Sequence, residues 1–468
     1  MKFHQALLPA LVGGAVGCAS YHPAPLETGV APGRYNARSI SDSGFTAYRA
    51  AAGLPAAAPV WNPGDLALAA LYFRAPLDEL RARVNAARAA EQSAGARPRP
   101  GIAASGERNL EPSGEGSPWG VQLAGTFVVE TGGKRGARIA IATSRTFEAE
   151  AELRATAQAL AAEARQAALE VVSASDRAYV GRHEEQLLDS VLPRIKSRFE
   201  EGTIGQGTLL QFRQEQQAAH LARVQSESEL RTAIATAAGI AGIPVPQLPE
   251  LRRVEPIMTS CGPLAVLSPD SLQFLALASR WSVAAALAGY QVAEAELRLE
   301  IARQRPDLEL GPGLFFDHGI TRFLANFALP FLPGGNRGPI AEMEARRSTA
   351  AAHVASAQES VLVELDGALA QCGLIDAESR SADSVDATAR ARWSRTREAY
   401  DRGEVGELDV RLEGIAALRT HRLVVLANQH AAEGRSRLEA AVGVWSSDPA
   451  ALWPDTLGQP ARGQKEHQ

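Results

Sequence analysis

Two periodicities take turns along this chain. Between residues 119 and 130, Val121, Leu123, Phe127 and Val129 are apolar at alternate places; between 320 and 332, Phe323, Ala325, Phe327 and Leu329 alternate with Arg322 and Asn326. A period of two gives a strand one apolar and one polar face. Partner strands are expected at 102–109 and 307–316. Elsewhere the period is helical. Val354, Val361, Ala368, Ile375, Ala382 and Ala389 fall seven apart, Leu365 and Cys372 follow two of them by four, and Ala164, Ala167, Val171, Ala174 and Ala178 step by three and four. Such seams of small residues are those of closely packed coiled coils. They lie in two runs, 134–198 and 337–397, which as helices would each span roughly 90–100 Å. Pro193 is expected to kink the first.

The whole pattern occurs twice. Helices are expected at 65–92 and 270–304, the first stopped by Gly95 and the Pro98/Pro100 pair, the second by Pro306. A strand pair, a Gly-Gly turn, the long helix, a glycine tip and a shorter return helix (208–238 and 408–442) follow in each half. Gly132-Gly133-Lys134-Arg135-Gly136 is echoed about 200 places later by Gly334-Gly335-Asn336-Arg337-Gly338, and Phe199-Glu200-Glu201-Gly202 is echoed at nearly the same offset by Tyr400-Asp401-Arg402-Gly403. A period this long is no solenoid repeat, whose units run about 20–50 residues. It predicts one body built from two copies of a helix-strand-strand-long helix-helix unit, mainly α with a small β part. The copies are expected at 64–243 and 270–445, joined by a linker at 244–269.

Composition sharpens this only slightly. The 468 residues are 46% hydrophobic but only 6% aromatic, so the apolar share is largely alanine, which lets helices approach closely. A net charge of −5, without a basic run, gives no nucleic-acid signal. The N-terminus reads as an export signal over 1–17: a short basic start, an apolar run, then small residues ending at Cys18, the arrangement of a lipoprotein signal in which Cys18 becomes the lipidated first residue. Residues 18–63, with six prolines, are expected to form an extended tether, and 446–468 a frayed tail. Cys261 and Cys372 lie far apart in the chain and are expected to be two buried small side chains, since so distant a pair is no disulfide framework.

Chemistry is hard to find. The nine histidines and three methionines form no metal-ligand spacing, the glycine turns lack a P-loop's Lys-Ser/Thr, and no nucleophile motif appears. No metal, cofactor or catalytic residue is expected. Four strands cannot close a barrel, and open sheet edges cannot sit in lipid. Three protomers would supply twelve strands, an even number able to close.

The residues that recur carry a resemblance to a known family. Gly132-Gly133-Lys134-Arg135, Arg305-Pro306-Asp307-Leu308, the run 338–346 (Gly-Pro-Ile-Ala-Glu-Met-Glu-Ala-Arg) and the two glycine tips resemble the TolC-like outer-membrane efflux proteins over about 62–445. The resemblance implies a homotrimer: a twelve-stranded β-barrel in the outer membrane, continued by a periplasmic α-helical coiled-coil barrel. It implies a passive exit duct, lipid-anchored in the outer membrane, joined to a six-membered periplasmic adaptor and an inner-membrane transporter of the resistance-nodulation-division class. The lipoprotein-type signal and the Gly-Gly-Lys-Arg turn are closest to the heavy-metal efflux branch. Ducts for multidrug efflux or type I protein secretion share this architecture, and a soluble periplasmic coiled-coil scaffold is a further alternative. On this reading the tips Gly202, Thr203, Ile204, Gly403, Glu404 and Val405 meet the adaptor, with Thr203, Ile204, Glu404 and Val405 exposed to it. The acids Glu200, Glu201, Asp401, Glu407 and Asp409 ring the periplasmic aperture.

Overall fold

The computed structural model describes residues 21–55, 58–108, 110, 117–252, 261–317, 320–329 and 336–444. It divides after Arg38 into two units. In the first, α1 (Ala31–Asn36) opens at Pro32, and the Arg38 guanidinium lies over the Tyr35 ring.

The second unit holds everything else. Its elements in chain order are α2 (Ser43–Ala51), β1 (Val60–Trp61), α3 (Pro63–Phe73), α4 (Ala75–Ala94), β2 (Gly101–Arg108), β3 (Trp119–Val129), α5 (Lys134–Glu200) and α6 (Gln206–Ala241). After β4 (Glu250–Leu251) come α7 (Pro269–Ser279), α8 (Trp281–Ala302), β5 (Leu308–Asp317), β6 (Ile320–Ala328), α9 (Arg337–Asp401) and α10 (Glu407–Val442). The order two helices, two strands, long helix, return helix therefore occurs twice. The long helices hold 67 and 65 residues and the return helices 36 each. α5 runs through Pro193 as one helix.

Each opening helix is two helices. In the first copy the cause is local: in a continuous helix the Pro76 ring would collide with the Tyr72 carbonyl, so the chain breaks at Arg74 (ψ 118°). The second copy has no such proline, yet it breaks at Arg280 (ψ 117°) with a 55° bend. Here the partners are distant in sequence. Gln158 of α5 accepts from the Trp281 N–H and donates to the Ser279 and Gly443 carbonyls, at 3.2, 3.3 and 3.1 Å. The two break-point arginines cap the return helices, Arg74 at the Gly239 carbonyl and Arg280 at those of Ala440 and Ala441.

Two sequence expectations are corrected in this region. Residues 39–55 and 58–63 of the expected tether fold onto the body: Asp42 caps α2 by accepting from the Phe45 N–H, and Phe45 and Trp61 are fully buried against Tyr72 and Phe73 of α3. Two large rings in a proline-rich segment find an apolar seat there, which proline content alone does not reveal. Within it, buried Arg49 pairs with Asp65 at 2.8 Å and lies over both the Phe45 and Trp61 rings. Cys261 and Cys372 form a disulfide, with Cα atoms 5.7 Å apart. The end of the linker turns back against α9 and α10, and this brings Cys261 beside the coiled-coil seam. Closing a loop of this length is worth ~4–5 kcal/mol in the chain-entropy description.

The core is alanine-rich. α3 is buried all round from Asp65 to Phe73 and meets Ala157, Ala161, Ala164 and Ala168 of α5 and Ala237, Ala238 and Ala241 of α6. A second cluster surrounds the disulfide, and a third, of α5, α6 and α10 residues, lies behind the tips.

Candidate functional site

The four long strands form one antiparallel sheet in the order β2-β3-β5-β6, so the two hairpins lie side by side although α5, α6, α7 and α8 all intervene between β3 and β5 in the chain. Directly opposed residues share a face. Pairings of Ala104 with Leu123, Leu123 with Leu314, Leu314 with Phe323, and Phe127 with Leu310 and then Phe327 therefore align one apolar face across all four strands. Phe323 and Phe327 lie on it, and the alternation carries Leu329 to the same side. Arg322 and Asn326 lie on the opposite face, with Gln122, Glu309, Gly311 and Gly313 but also Phe315 and Leu324, so this face is mixed and the more polar of the two. The apolar face is bare: Phe323, Phe327 and Leu314 are 70, 67 and 51% exposed. Among the described residues β2 and β6 have no further neighbour, so the sheet is open at both edges.

The sheet stands on the helices through the Gly132-Gly133 turn; its expected echo at 334–335 lies outside the described residues. Gly132 and Gly133 both have left-handed φ (+71 and +78°), and a side chain on Gly132 would strike the Ala302 carbonyl at 2.9 Å. The turn docks on the Arg-Pro-Asp-Leu stretch of the other copy: Asp307 accepts from the Thr131 N–H at 2.9 Å and from Lys134 Nζ at 2.8 Å. Desolvation works against the charged Asp307, but the Lys134 and Thr131 hydrogen bonds outweigh it and hold its carboxyl below the usual range. Arg138 joins the same junction through Glu130 and the Ala96 carbonyl. Two sequence stretches that looked like independent signatures are halves of one joint.

At the far end both tips share one geometry. Gly202 and Gly403 each have φ +74°, with open space where a side chain would be, so glycine is required there by conformation rather than by room. The following amides, of Thr203 and Glu404, return to the Arg198 and Ala399 carbonyls at 2.9 Å, the glycine-capped helix ending. Thr203 and Glu404 are exposed. Ile204 and Val405 are half-buried, contrary to their expected exposure. Ile204 precedes the N-cap of α6 and packs on the tip cluster that contains Leu209, four places into that helix, the arrangement of a hydrophobic staple. Holding the entry angle of α6 is reason enough for an apolar residue there.

The acids near the tips are more occupied than their sequence suggests. Glu407 bridges Arg194 of α5 and Arg411, and these pairings, Arg411 first, hold its carboxyl below the ordinary range. Glu404 is gripped by both nitrogens of Arg402 with the same direction of shift. Asp409 accepts from the Gly406 N–H as the cap of α10, Glu201 from Ser197, and Glu200 lies 3.7 Å from Lys196. Asp401 is exposed on the rim of a groove of ≈ 690 Å³ between α5, α9 and α10. Trp393 and Tyr400, absent from the sequence-based candidates, line that groove, as does Arg411. The Glu407–Arg411 spacing was legible as a helical pair, but the Arg194 contribution comes from a different helix, far away in the chain. Cys18 lies outside the described residues. Among the described residues no group of three or more His, Cys, Asp or Glu side chains is placed to hold a metal ion, and no single helix is long and apolar enough to cross a membrane.

Residues 69–242 match the family model described as outer membrane efflux protein. Among solved structures the chain is similar to the outer-membrane channel OprN, with TM-score 0.65, 16% identity, and 82% of this chain and 91% of that one covered. It is similar to CusC, described for its folding and transmembrane channel formation, with TM-score 0.63, 17% identity and coverage of 81 and 91%. It is also similar to VceC, an outer membrane protein of Vibrio cholerae, with TM-score 0.61, 18% identity and coverage of 82 and 96%. At such identities the likeness establishes the fold. No curated protein matches the sequence.

Proposed function

We propose that this chain, whose residues 69–242 match the outer membrane efflux protein family model, is a member of that family and the passive exit duct of a tripartite pump, built from three copies of the chain. The family is one of channels that work with an adaptor and an inner-membrane pump. The observation that carries the reading is the sheet: four strands, a bare apolar face, a more polar opposite face and, among the described residues, two open edges. Open edges and exposed phenylalanines are a liability in water, and both are resolved when three sheets close into a twelve-stranded barrel with the apolar face against lipid. The more polar face, rich in glycine, then lines a wet lumen. Energy comes from the transporter, since the duct supplies no chemistry of its own.

The tips are the proposed contact with the adaptor. Six near-identical glycine turns, two per copy, suit a six-membered adaptor ring, and the exposed Thr203 and Glu404 with the rim of Trp393 and Tyr400 are the surfaces on offer. Heavy-metal cations remain the proposed substrate on the resemblance of the Gly-Gly-Lys-Arg turn and the lipoprotein-type signal, with acylation at Cys18 supplementing the barrel. Glu200, Glu404 and Glu407 are paired with lysine or arginine, and Glu201 and Asp409 accept hydrogen bonds from Ser197 and the Gly406 N–H, so selectivity is assigned to the pump rather than to an acidic ring at the aperture.

The test is assembly and conductance. The purified protein is expected to require detergent, to run as a trimer by light scattering, and to give passive conductance in planar bilayers. A monodisperse monomer in detergent-free buffer overturns the duct. Loss of tolerance to Co, Zn, Cd, Cu or Ag on deletion of the gene is the expected substrate result; unchanged tolerance to all five removes the metal assignment and leaves the duct standing.

A further inference from the structure

Two carboxylate–histidine pairs lie in one layer of the helical bundle that the duct reading does not use. Glu185 of α5 meets His220 of α6 at 2.6 Å, and Asp386 of α9 meets His421 of α10 at 3.8 Å. The two pairs are equivalent by position. Glu185 precedes Gly202 by the same interval as Asp386 precedes Gly403, and His220 and His421 follow those glycines by equal intervals too. Both pairs therefore join the outgoing and returning helices of a hairpin at the same height, ~25 Å from the turn.

The surroundings of each pair are defined. Facing His220 are Glu185, Asp189 (bonded to Gln216) and Arg182 of α5, with Arg223 and Glu227 on its own helix; Arg223 also pairs with Glu185. Around His421 are Asp386 and Arg390 of α9, His183 and Glu184 of α5, and Arg419 and Arg422 on its own helix. Arg419 pairs with both Glu184 and Glu215 of α6, so one charged layer runs through all four helices. Both histidines are about half exposed, 55 and 49%. Asp386 is different. It occupies a heptad-seam position of α9, is 1% exposed, and neither carboxylate oxygen has a hydrogen-bond partner; its contact with Arg390 is ionic only. Beyond it α9 buries no residue as far as its end, and the groove opens there.

We propose that Glu185–His220 and Asp386–His421 are paired pH-sensitive clasps that set how tightly the two helices of each tip hairpin are held together. A neutral imidazole offers a carboxylate one hydrogen bond at most; the protonated ring adds a charge and a second N–H. Histidine ordinarily changes charge between pH 5 and 8. The clasps therefore tighten on the acid side of that range and loosen as pH rises through it. The second clasp, longer and over an unsatisfied carboxylate, has more to gain. Arg223 and Arg390 compete for the same acids and limit the response to that of an exposed pair. A rise in pH thus loosens the end of the bundle without touching the tip residues.

Hydrogen–deuterium exchange of the full-length protein in nanodiscs tests this, with rates corrected for the intrinsic pH dependence of amide exchange. Segments 185–220 and 386–421 are expected to exchange roughly two- to fivefold more slowly at pH 5.5 than at pH 8, the scale of an exposed ion pair. The difference should shrink in 1 M NaCl. In a His430→Gln background, which removes a third pair between α9 and α10, His430–Glu378 at 2.8 Å, His220→Gln should abolish it in the first hairpin only, His421→Gln in the second only, and the double variant in both. Both histidines are half exposed, so these variants preserve the fold. A flat wild-type profile, a double variant that keeps the response, or a single variant that removes it from both hairpins would overturn the proposal.

Discussion

The two long helices began as copies of one pattern and ended in different surroundings. α5 buries 22 of its 67 residues and is contacted along its length by α3, α4, α6, α8 and α10. α9 buries 8 of its 65 and is held chiefly by α8 and α10. Its buried residues form one seam of alternating fours and threes, Val361, Leu365, Ala368, Cys372, Ile375, Ser379, Ala382 and Asp386. Its outer flank carries Val363, Leu374 and Val385, eleven apart and 65, 72 and 44% exposed. An eleven-residue step is close to a whole number of helical turns, so these make a stripe. A polar face is what an isolated two-seam helix would show there. The difference is the one the proposed trimer calls for, in which the bare flank of α9 would be covered by another copy. In that proposed trimer, the repeat would give the place that α10 takes on α5 to α6 of another copy on α9.

That contrast is open to direct attack. The largest effect is expected from placing a charge on each helix in turn. Val191→Asp on α5 puts an unpaired carboxylate into the tip cluster, where the residue is fully buried, at a cost of several kcal/mol. Circular dichroism and protease resistance should show the hairpin melting. Leu374→Asp on α9 should leave the helical content unchanged and instead reduce the trimer seen by light scattering. If Leu374→Asp leaves assembly intact, the bare flank is only surface.

Next in size is the disulfide, which ties the stretch before α7 to α9, the less embedded helix. Replacing Cys261 and Cys372 together by alanine, or reducing the bridge, should destabilise this region by ~4 kcal/mol. Local exchange of 361–386 should accelerate while 160–185 of α5 is unchanged.

The tips come third, and here the two copies should behave alike. Valine at Gly202 or Gly403 forces a β-branched residue to φ +74°, a strain of about 1–3 kcal/mol each. Each change should loosen its own tip to proteolysis and reduce crosslinking to the adaptor without reducing membrane-inserted trimer. Tip variants that keep full export and crosslinking would make the tips turns and nothing more.

The smallest effect concerns pH at the joint between copies. The folded Asp307 carboxyl is held below its ordinary value, so its contribution is present above the unfolded value near 4 and is lost as pH falls through the lower, folded one. Stability of the sheet–helix junction should fall in that acid window, and Asp307→Asn should flatten the dependence there. An unchanged acid profile in the variant would mean that Lys134 and Asp307 are merely adjacent.

Much of the architecture was legible in the residues alone. Period-two alternation marked the strands and, through Arg322 and Asn326, separated the more polar face of the sheet from the apolar one. Heptad spacing marked both long helices to within a few residues of their ends, and the Gly132-Gly133 pair marked the turn before α5. These signals are local: a left-handed glycine or a single helical turn needs no distant partner. What remained hidden depended on residues far apart in sequence. The break at Arg280 is made by Gln158, the burial of Phe45 by Tyr72 and Phe73, the bridge of Cys261 by the return of a linker to α9, and the neutralisation of Glu407 by Arg194. Local spacing determines what each segment becomes. Which segments are then enclosed and which left bare is decided only when the helices pack, because burial is a property of neighbours and two copies of one pattern need not acquire the same ones.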